Sequence, residues 1–238
     1  MSGYKRFFVD SISDVTEITG EEFTHAVSVL RIKKGERIFL LDNTGKEFVA
    51  EITSVEKKRI LVTLIEESEN LCEPKEKILL IAGYLKGDKT ELVVQKAVEL
   101  GVSEIIVFSS TFSSAYMNDN KLDRLNRVSL EACKQCGRAI VPKVTYVESL
   151  EQALKKGDSY QNKLFACEFA TKSEVDFNVL KGSTAIVVGS EGGFSKEEFE
   201  LSKELGYKTI YLGKRILRAE TACIALTAIV ANALKEFE

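Results

Sequence analysis

From Ile78 onward, short and almost continuously apolar segments alternate with segments that have the periodicity of helices. The apolar segments are ILLIAG, EIIVFSS, KLFACEF, TAIVVG and TIYLG. A strand that is apolar on both faces has to be covered on both, and successive parallel strands need a long crossover connection, usually a helix. The pattern therefore predicts an α/β fold class: a mostly parallel sheet with helices on both faces.

The connecting helices are expected at TELVVQKAVELGV, residues 119–137, SKEEFELSKELG and the apolar C-terminal segment 222–234. This last segment is interrupted by Thr227 and Asn232, and it is shorter than the roughly twenty residues of a membrane-spanning helix. The N-terminal residues contain no extended apolar core, so neither a membrane segment nor a signal peptide is expected. Five cysteines, an odd number without the spacing of a disulfide scaffold, indicate a cytoplasmic protein.

The first part of the chain has a different periodicity. Between residues 37 and 66, three β-rich segments are separated by the turn sequences NTGK and EKKR, which is typical of a β-meander. A helix with Phe23, Val27 and Leu30 on one face is expected before them. A short helix and a few antiparallel strands predict a small β-barrel, and such barrels often bind RNA.

A domain boundary is expected where these two patterns meet. The segment 66–77 loses apolar periodicity, is dense in charge and contains Pro74. The sequence therefore predicts a first domain at residues 1–72 and a second at residues 73–238.

Two glycine-containing turns follow predicted strands: VVGSEGG at 187–193 and LGKRILRAETA at 212–222. Ligands of α/β sheets bind at such strand ends. The glycines of the first turn can adopt positive φ and admit a ligand close to the backbone, while Ser195 and Glu198 predict a capping box. Two such turns on neighbouring strands would enclose a pocket walled by main-chain groups. Such a pocket suits a flat group with polar edges, such as adenine, better than phosphates.

The second turn also places two charged residues, Arg218 and Glu220, between apolar segments. Charge in such a position is costly unless it is paired or used. A salt bridge at a helix start and a functional pair both remain open on these residues alone.

Two further motifs indicate chemistry only weakly. GYLKGDKT at 83–90 imitates a phosphate-binding P-loop, but three residues rather than four separate its glycines, and Asp88 precedes Lys89. Cys133 and Cys136 form a C-x-x-C without a second pair, in a helical context where cysteines pack as small apolar groups. No metal site is therefore expected.

Other functional classes find little support. The single histidine, His25, is expected on a helix face of the first domain, which argues against a Ser-His-Asp hydrolase. Neither glycine turn matches the G-x-G-x-x-G of dinucleotide-binding folds. A net charge of −3 does not by itself indicate a nucleic-acid binder, so any basic surface must be local. On charge alone, a solvated surface of mixed charge is favoured.

Several motifs in order resemble the ribosomal RNA small-subunit methyltransferase E family, which belongs to the SPOUT class of methyltransferases. They are RFFV, HAVSVLRIKKGE, KGDKTELVVQKAVELGV, EACKQCGR, VVGSEGGFSKEE and LGKRILRAETA, and the resemblance covers essentially the whole chain. The sequence departs from the family at Ser190 and Lys214, where a proline is usual. Each replacement frees a backbone N–H and loosens the turn.

The resemblance implies transfer of a methyl group from S-adenosyl-L-methionine to N3 of a uridine near the 3′ end of 16S rRNA, in the small ribosomal subunit. It also implies a trefoil knot in the C-terminal domain, an N-terminal PUA-like barrel and a homodimer. The alternative is a non-catalytic RNA-binding protein of ribosome assembly, in which the glycine turns merely fold.

The proposed chemistry assigns roles to the charged residues. Uridine N3 must lose its proton while negative charge develops on the flanking carbonyl oxygens, so a guanidinium aimed there would stabilise the reaction. Arg218 is the catalytic candidate, with Glu220 pairing it or acting as the base.

The remaining cofactor residues lie on the two turns, and Cys167 or Glu168, at the end of the strand KLFACEF, is expected to close the pocket. Among the residues expected to contact RNA, Arg138 is a candidate for the site of the partner subunit. Cofactor contacts are expected from Cys167, Glu168, Gly189, Glu191, Gly192, Gly193, Leu212, Gly213, Ile216, Leu217 and Thr221. RNA contacts are expected from Arg6, Arg31, Lys86, Lys89, Gln95, Lys134, Gln135 and Arg138.

Overall fold

The computed structural model describes residues 4–112 and 116–238 and divides the chain into two compact units. The first unit consists of Met1–Glu73 together with Cys133–Val141, and the second of Pro74–Ala132 together with Pro142–Glu238. The segment Cys133–Val141 lies in the part of the chain that the sequence assigns to the second domain.

The first unit contains a five-stranded sheet. Its strands are β1 (Lys5–Phe8), β2 (Val15–Ile18), β3 (Arg37–Leu41), β4 (Lys46–Val55) and β5 (Ile60–Glu69). Their order is β1-β3-β4-β5-β2; β1 pairs with β3 in parallel, and all other neighbours are antiparallel. The predicted meander is therefore confirmed as β3, β4 and β5.

Apolar side chains of this sheet form the core of the first unit. Phe7, Ile38, Leu40, Ile52 and Ile60 are fully buried in one cluster. Complete burial of one such side chain contributes about 1.5–3 kcal/mol. The alternation of apolar residues along each strand thus selects the face that packs inward.

The helix before the meander is shorter and less regular than predicted. Helix α1 spans only Gly20–Thr24, and a π-helical turn follows at His25–Val29. Phe23 and Leu30 pack against the core, whereas Val27 is exposed. A π turn contains more residues than an α turn, which rotates Val27 away from the face that was expected to bury it.

The second unit alternates strands and helices. Its strands are β6 (Ile78–Gly83), β7 (Glu104–Phe108), β8 (Lys143–Val147), β9 (Asn162–Ala166), β10 (Thr184–Val188) and β11 (Lys208–Ile210). Its helices are α2 (Lys89–Glu99), α3 (Asp119–Cys136), α4 (Leu150–Lys156), α5 (Lys196–Glu204) and α6 (Ala219–Ala233), and the last residues of α3 belong to the first unit. Short 3₁₀ turns lie at Gly157–Ser159 and Phe177–Val179.

The six strands form one sheet in the order β11-β9-β10-β6-β7-β8, and every neighbouring pair is parallel. All residues of β6 and β10 are buried, as their continuous apolar sequences predict. The parallel α/β architecture expected from the sequence is therefore confirmed. None of the helices formed by the described residues is long and apolar enough to cross a bilayer.

Strand β8 and helix α4 lie outside the predicted elements. The sequence KVTYV of β8 buries only Val144, because the strand lies at the edge of the sheet. An edge strand of five residues with one buried side chain lacks the apolar continuity that identifies the central strands.

Aromatic packing joins the sheet to the loop after β10. The ring of Phe194 lies 4.2 Å from that of Phe165 on β9 and 6.4 Å from that of Phe108 on β7, measured between centroids. Phe194 is 2% exposed and belongs to the core that includes Ile81 and Val187. This anchor fixes the end of the loop at the carboxyl edge of the sheet.

Candidate functional site

Three loops of the second unit meet at the carboxyl ends of parallel strands. They follow β9, β10 and β11 and, together with Lys89 of α2 and the first turn of α6, line a cavity of ≈730 Å³. This volume lies within the usual range of small-molecule sites. The expectation that the two glycine turns follow neighbouring strands is wrong, because β9 lies between β10 and β11. The end of β9 supplies Cys167 and Glu168 to the wall between the turns.

The loop after β10 depends on close contacts at its glycines. Gly193 has a φ of +68°, a conformation that favours glycine. A Cβ atom at Gly192 would lie 2.5 Å from Cβ of Phe112, and one at Gly83 would lie 2.3 Å from the main-chain N of Ser190. Of the three glycines in the loop, only Gly193 adopts the positive φ expected for all of them. Gly192 instead permits close packing by the protein itself.

Helix α5 begins with the capping box that the sequence predicts. The Ser195 hydroxyl accepts a hydrogen bond from the Glu198 N–H at 3.2 Å, and the Glu198 carboxylate accepts one from the Ser195 N–H at 2.8 Å. The cap orients the main chain as it leaves the cavity wall and enters the helix.

The serine that stands at the usual proline position is anchored by its side chain. Ser190 is 5% exposed, and its hydroxyl shares a hydrogen bond of 2.9 Å with the hydroxyl of Ser110. Its carbonyl accepts a further bond of 3.0 Å from the Gly193 N–H. These hydrogen bonds restrict the conformation of the turn at Ser190, where a proline would restrict it by fixing φ.

Glu191 joins the loop after β10 to the loop after β6. Its Oε1 accepts a hydrogen bond of 3.1 Å from the Lys86 main-chain N–H and one of 3.0 Å from the Lys89 ammonium. Burial opposes ionisation of this carboxyl, but these hydrogen bonds outweigh it and lower the pKa of Glu191. Glu191, which was predicted to contact the cofactor, and Lys89, which was predicted to contact RNA, therefore form an ion pair in the cavity wall.

Glu220 lies in the first turn of α6 and lines the same cavity. Its side chain is 13% exposed, and its Oε2 is buried without a hydrogen-bond partner among the residues that the structure describes. The Lys89 Nζ lies 3.9 Å from this oxygen. Burial, and secondarily the charge of Glu220, raise the pKa of the nearby Cys223 thiol to about 12. This carboxylate oxygen therefore keeps an unsatisfied acceptor position beside the Lys89 ammonium.

Arg218 precedes the first residue of α6 and is exposed at the cavity edge. Its main-chain carbonyl accepts a hydrogen bond of 2.8 Å from the Ala222 N–H, but within residues 4–112 and 116–238 its side chain makes no hydrogen bond or ion pair. The pairing with Glu220 that the sequence left open is not formed here, because residues two apart at a helix start do not face each other. Arg218 thus presents a free guanidinium, which can donate to two oxygens at once.

All but one of the predicted cofactor residues line the cavity. Those that do so are Cys167, Glu168, Gly189, Glu191, Gly192, Gly193, Leu212, Gly213, Ile216 and Leu217. Thr221 is exposed and lies outside this lining. Three residues that were not predicted as cofactor contacts, Tyr211, Lys214 and Arg215, also line the cavity, beside the predicted residues of the same loop. Because these three residues lie in the same loop as predicted cofactor contacts, their place in the sequence could have identified them.

The predicted RNA contacts are divided between the two units. Those in the first unit are Arg6, Arg31, Lys134, Gln135 and Arg138, and those in the second are Lys86, Lys89 and Gln95. Arg31 and Gln135 are exposed in the first unit, as are Lys86 and Gln95 in the second. Arg31 has a φ of +50°, which is uncommon for a residue with a side chain.

Arg138 is buried inside the first unit. It is 3% exposed, and its guanidinium donates hydrogen bonds of 3.0 and 3.3 Å to Oε2 of Glu73. The other oxygen of Glu73 accepts from the main-chain N–H groups of Ala139 and Ile140. In this arrangement Arg138 holds the segment Cys133–Val141 to the first unit.

Two other predicted RNA contacts are also paired with carboxylates. The Lys134 ammonium bonds to Glu22, with side chains that are 10% and 17% exposed. Arg6 lies 3.3 Å from Glu47 and stacks over the ring of Phe39. Both cations are thus partly neutralised within the first unit.

The C-x-x-C motif lies near the end of α3. Cys133 is fully buried, its Sγ donates to the Ile140 carbonyl at 3.1 Å, and burial raises its pKa to about 12. The interpretation of Cys133 as a packed apolar group is confirmed. Among the described residues, no three His, Cys, Asp or Glu side chains are grouped so as to hold a metal ion.

Comparison with known proteins gives a consistent result. The RNA methyltransferase domain family matches residues 72–231, and the RNA methyltransferase PUA domain family matches residues 18–65. The ribosomal RNA small subunit methyltransferase E of Bacillus subtilis (strain 168) is 33% identical over 94% of this chain and 95% of its own length. The protein of the same name from Mesomycoplasma hyopneumoniae (strain 232) is 31% identical over 93% and 96%.

A solved structure shows the same similarity in three dimensions. The crystal structure of a ribosomal RNA small subunit methyltransferase E from Neisseria gonorrhoeae, bound to S-adenosyl methionine, superposes with a TM-score of 0.87 and 31% identity. The match covers 97% of this chain and 98% of that one. Fold and sequence therefore agree over nearly the whole chain.

Proposed function

Because the chain belongs to the ribosomal RNA small subunit methyltransferase E family, we propose that it methylates N3 of one uridine near the 3′ end of 16S rRNA. It is an rRNA methyltransferase that uses S-adenosyl-L-methionine. The observation that carries the finer proposal is the cavity at the ends of β9, β10 and β11, which has the Arg218 guanidinium at its edge and Glu220 among its lining residues.

The cavity fits this cofactor. Main-chain groups of the loops after β10 and β11 form much of its wall, and these groups can bind the polar edge of an adenine. Gly193 and Gly213 adopt positive φ and add no side chain to the wall. We assign the cofactor contacts to the ten predicted residues that line the cavity. Thr221 is exposed and lies in the first turn of α6, so we assign it no direct contact with the cofactor.

S-adenosylmethionine supplies a methyl group on a positively charged sulfur. The chain's own residues must place uridine N3 in line with it, remove the N3 proton and stabilise the charge left on the base. Arg218 donates to a carbonyl oxygen beside N3, where negative charge develops. The Glu220 carboxylate accepts the N3 proton as the new N–C bond forms and the S–C bond breaks.

Access to N3 sets a condition on the RNA. A Watson–Crick pair hides this atom, so the uridine has to be unpaired or flipped. We assign contacts to the RNA backbone to the exposed residues Arg31, Lys86, Gln95 and Gln135. The paired cations Arg6, Lys89, Lys134 and Arg138 are proposed to shape these surfaces, and they reach RNA only if their carboxylate partners release them.

The finer architecture and assembly belong to the same proposal. Insertion of β9 between β10 and β11 supports a trefoil knot in the C-terminal domain, residues 73–238. The PUA match at residues 18–65 and the five-stranded sheet support a PUA-like barrel in the N-terminal domain, residues 1–72. The homodimer is proposed from family membership.

The decisive experiment is methylation of purified small ribosomal subunits, or of free 16S rRNA, with labelled S-adenosylmethionine. We expect one labelled uridine, modified at N3, when the base is mapped. Thermal unfolding with and without the cofactor supplies the complementary measurement, since a ligand that binds only the folded state raises the melting temperature. RNA binding without methyl transfer and without cofactor stabilisation would favour the non-catalytic alternative.

A further inference from the structure

The side chain of Lys89 lies between two carboxylates of the cavity wall. Its Nζ is 3.0 Å from Oε1 of Glu191 and 3.9 Å from Oε2 of Glu220. The first contact is a hydrogen bond, whereas the second is an ion-pair distance without one. One ammonium therefore serves a carboxylate of the loop after β10 and a carboxylate of α6.

The position of Lys89 does not favour its own helix. Lys89 is the first residue of α2, where the helix dipole disfavours a cation. Glu220, in the first turn of α6, is in a position that favours an anion. A lysine at position 89 therefore does not stabilise α2. Its position is explained by the carboxylates of Glu191 and Glu220 in the cavity wall.

The charged and titratable groups around Glu220 are few. The Lys89 ammonium approaches Glu220 from α2, and the Glu191 carboxylate lies on the other side of this ammonium, on the loop after β10. Cys223 lies on α6, the same helix as Glu220. Arg218 precedes the helix and is exposed. Among these, Lys89 is the cation that the structure records within ion-pair distance of Glu220.

We propose that Lys89 is a positioning residue for methyl transfer, which keeps Glu220 ionised by sharing its ammonium between Glu220 and Glu191. The inference rests on the proposed function, because it assigns Glu220 the N3 proton. Without Lys89, two partly buried carboxylates would share the wall with no cation between them. Glu220 would then stay protonated up to a higher pH than in the native protein. A protonated Glu220 cannot accept a proton from the base.

The proposal differs from a contact between Lys89 and an RNA phosphate. A phosphate contact contributes to binding of the RNA and to its dependence on salt. A positioning residue acts on the protonation of Glu220 and therefore on the dependence of kcat on pH. The two roles can be separated in one set of variants.

The variants are Lys89→Met, which removes the charge at similar length, and Lys89→Arg, which keeps it. Lys96→Met is the matched control, because it removes a lysine of the same helix whose ammonium is paired with a different carboxylate, that of Glu99. The first measurement is the pKa of Glu220, from carboxyl ¹³C titration assigned with Glu220→Gln. We expect the Glu220 carboxyl to titrate at a higher pH in Lys89→Met than in the native protein, and at an unchanged pH in the other two lysine variants.

The second measurement is the pH profile of kcat on small ribosomal subunits at saturating RNA. The acid limb should move upward in Lys89→Met by the same amount as the Glu220 pKa, and Lys89→Arg should restore it. An unchanged Glu220 pKa, or an unchanged acid limb with a raised KM for RNA, would overturn the inference in favour of a phosphate contact. If the pKa rises but the native protein does not methylate the subunit, the ion pair stands and the proposed function fails.

Discussion

The carboxylate of Glu198 accepts hydrogen bonds from both the N–H and the hydroxyl of Thr111, at 3.0 and 3.1 Å. Glu198 is also the acidic member of the capping box with Ser195. One buried side chain therefore starts α5 and anchors the loop after β7. That loop packs through Phe112 against Gly192 in the wall of the cavity.

Replacing Glu198 by alanine should destabilise the protein. The change removes the bond to the Ser195 N–H and leaves the polar groups of Thr111 without their acceptor, at a cost of about 2–3 kcal/mol. Denaturant unfolding measures the difference. Glu198→Gln keeps an acceptor oxygen and should lose about half as much; equal losses in the two variants would show that the charge, not the hydrogen bonds, is what matters.

Gly193→Val should abolish measurable binding of S-adenosylmethionine. Gly193 has a φ of +68°, and its Cβ would lie 2.0 Å from Oε1 of Glu168. A β-branched residue therefore strains the turn and pushes the Glu168 carboxylate out of its place in the wall. Calorimetry measures the affinity.

Gly35→Val is the matched control for this experiment. Gly35 has a φ of +86° but no atoms within 4 Å of its Cβ position, and it lies in the first unit. Both variants pay about 1–2 kcal/mol for the left-handed backbone. Only Gly193→Val should lose the cofactor; retained affinity there would place the binding site elsewhere.

Arg218→Ala should lower kcat by about 10²–10³-fold, the effect of removing one donor to a developing negative charge. The affinity for S-adenosylmethionine and the melting temperature should stay close to those of the native protein, because the Arg218 side chain is exposed and makes no hydrogen bond within the described residues. Single-turnover methylation separates the chemical step from RNA binding. A loss confined to the KM for RNA would make Arg218 a binding residue only.

The elements that the sequence predicts are those determined locally. β6 and β10 are buried on both faces and read as continuous apolar segments, and the Ser195–Glu198 cap is a pattern within four residues. The weak edge strand β8 has no such signal. Local patterns thus identify central strands and helix starts, but not every element of the sheet.

The arrangement of the site depends on contacts that are distant in sequence. The position of β9 between β10 and β11 cannot be predicted from the three strand sequences. Each of these apolar sequences is compatible with any central position in a parallel sheet. The ammonium of Lys89 contacts two carboxylates that each lie more than a hundred positions from Lys89 in the sequence. Arg218 and Glu220 are adjacent enough to suggest a pair, yet the helix start directs them apart.

Arg138→Ala should destabilise the first unit by about 3–5 kcal/mol, the usual effect of removing one partner from a buried ion pair. The variant leaves Glu73 partly buried without its cation, and Glu73 also holds the N–H groups of Ala139 and Ile140. Lys155→Ala is the control, because its ion pair with Glu151 is exposed and should contribute nothing measurable. An unfolding transition of Arg138→Ala that matches the native protein would instead favour the RNA contact predicted from the sequence.

Thiol reactivity should distinguish the buried cysteines from the exposed one. Burial raises the pKa of Cys133 and of Cys223 to about 12, whereas Cys72 is exposed. At pH 8, iodoacetamide should therefore modify Cys72 in the folded protein and reach Cys133 and Cys223 only after unfolding, because the thiolate is the reactive form. Mass spectrometry of the modified peptides identifies the sites.

The same pKa shifts predict a loss of stability in alkali. A thiol whose pKa is raised by folding contributes its full stability below the pKa of the unfolded state, near 8.5. Between that value and about 12, the unfolded chain releases protons that the folded Cys133 and Cys223 retain, so the free energy of unfolding should fall as pH rises. Urea unfolding at pH 7 and pH 10 measures the change. The double variant Cys133→Ala, Cys223→Ala is less stable from cavity formation but should lose less of its remaining stability over this interval; an equal loss would assign the alkaline sensitivity to other groups.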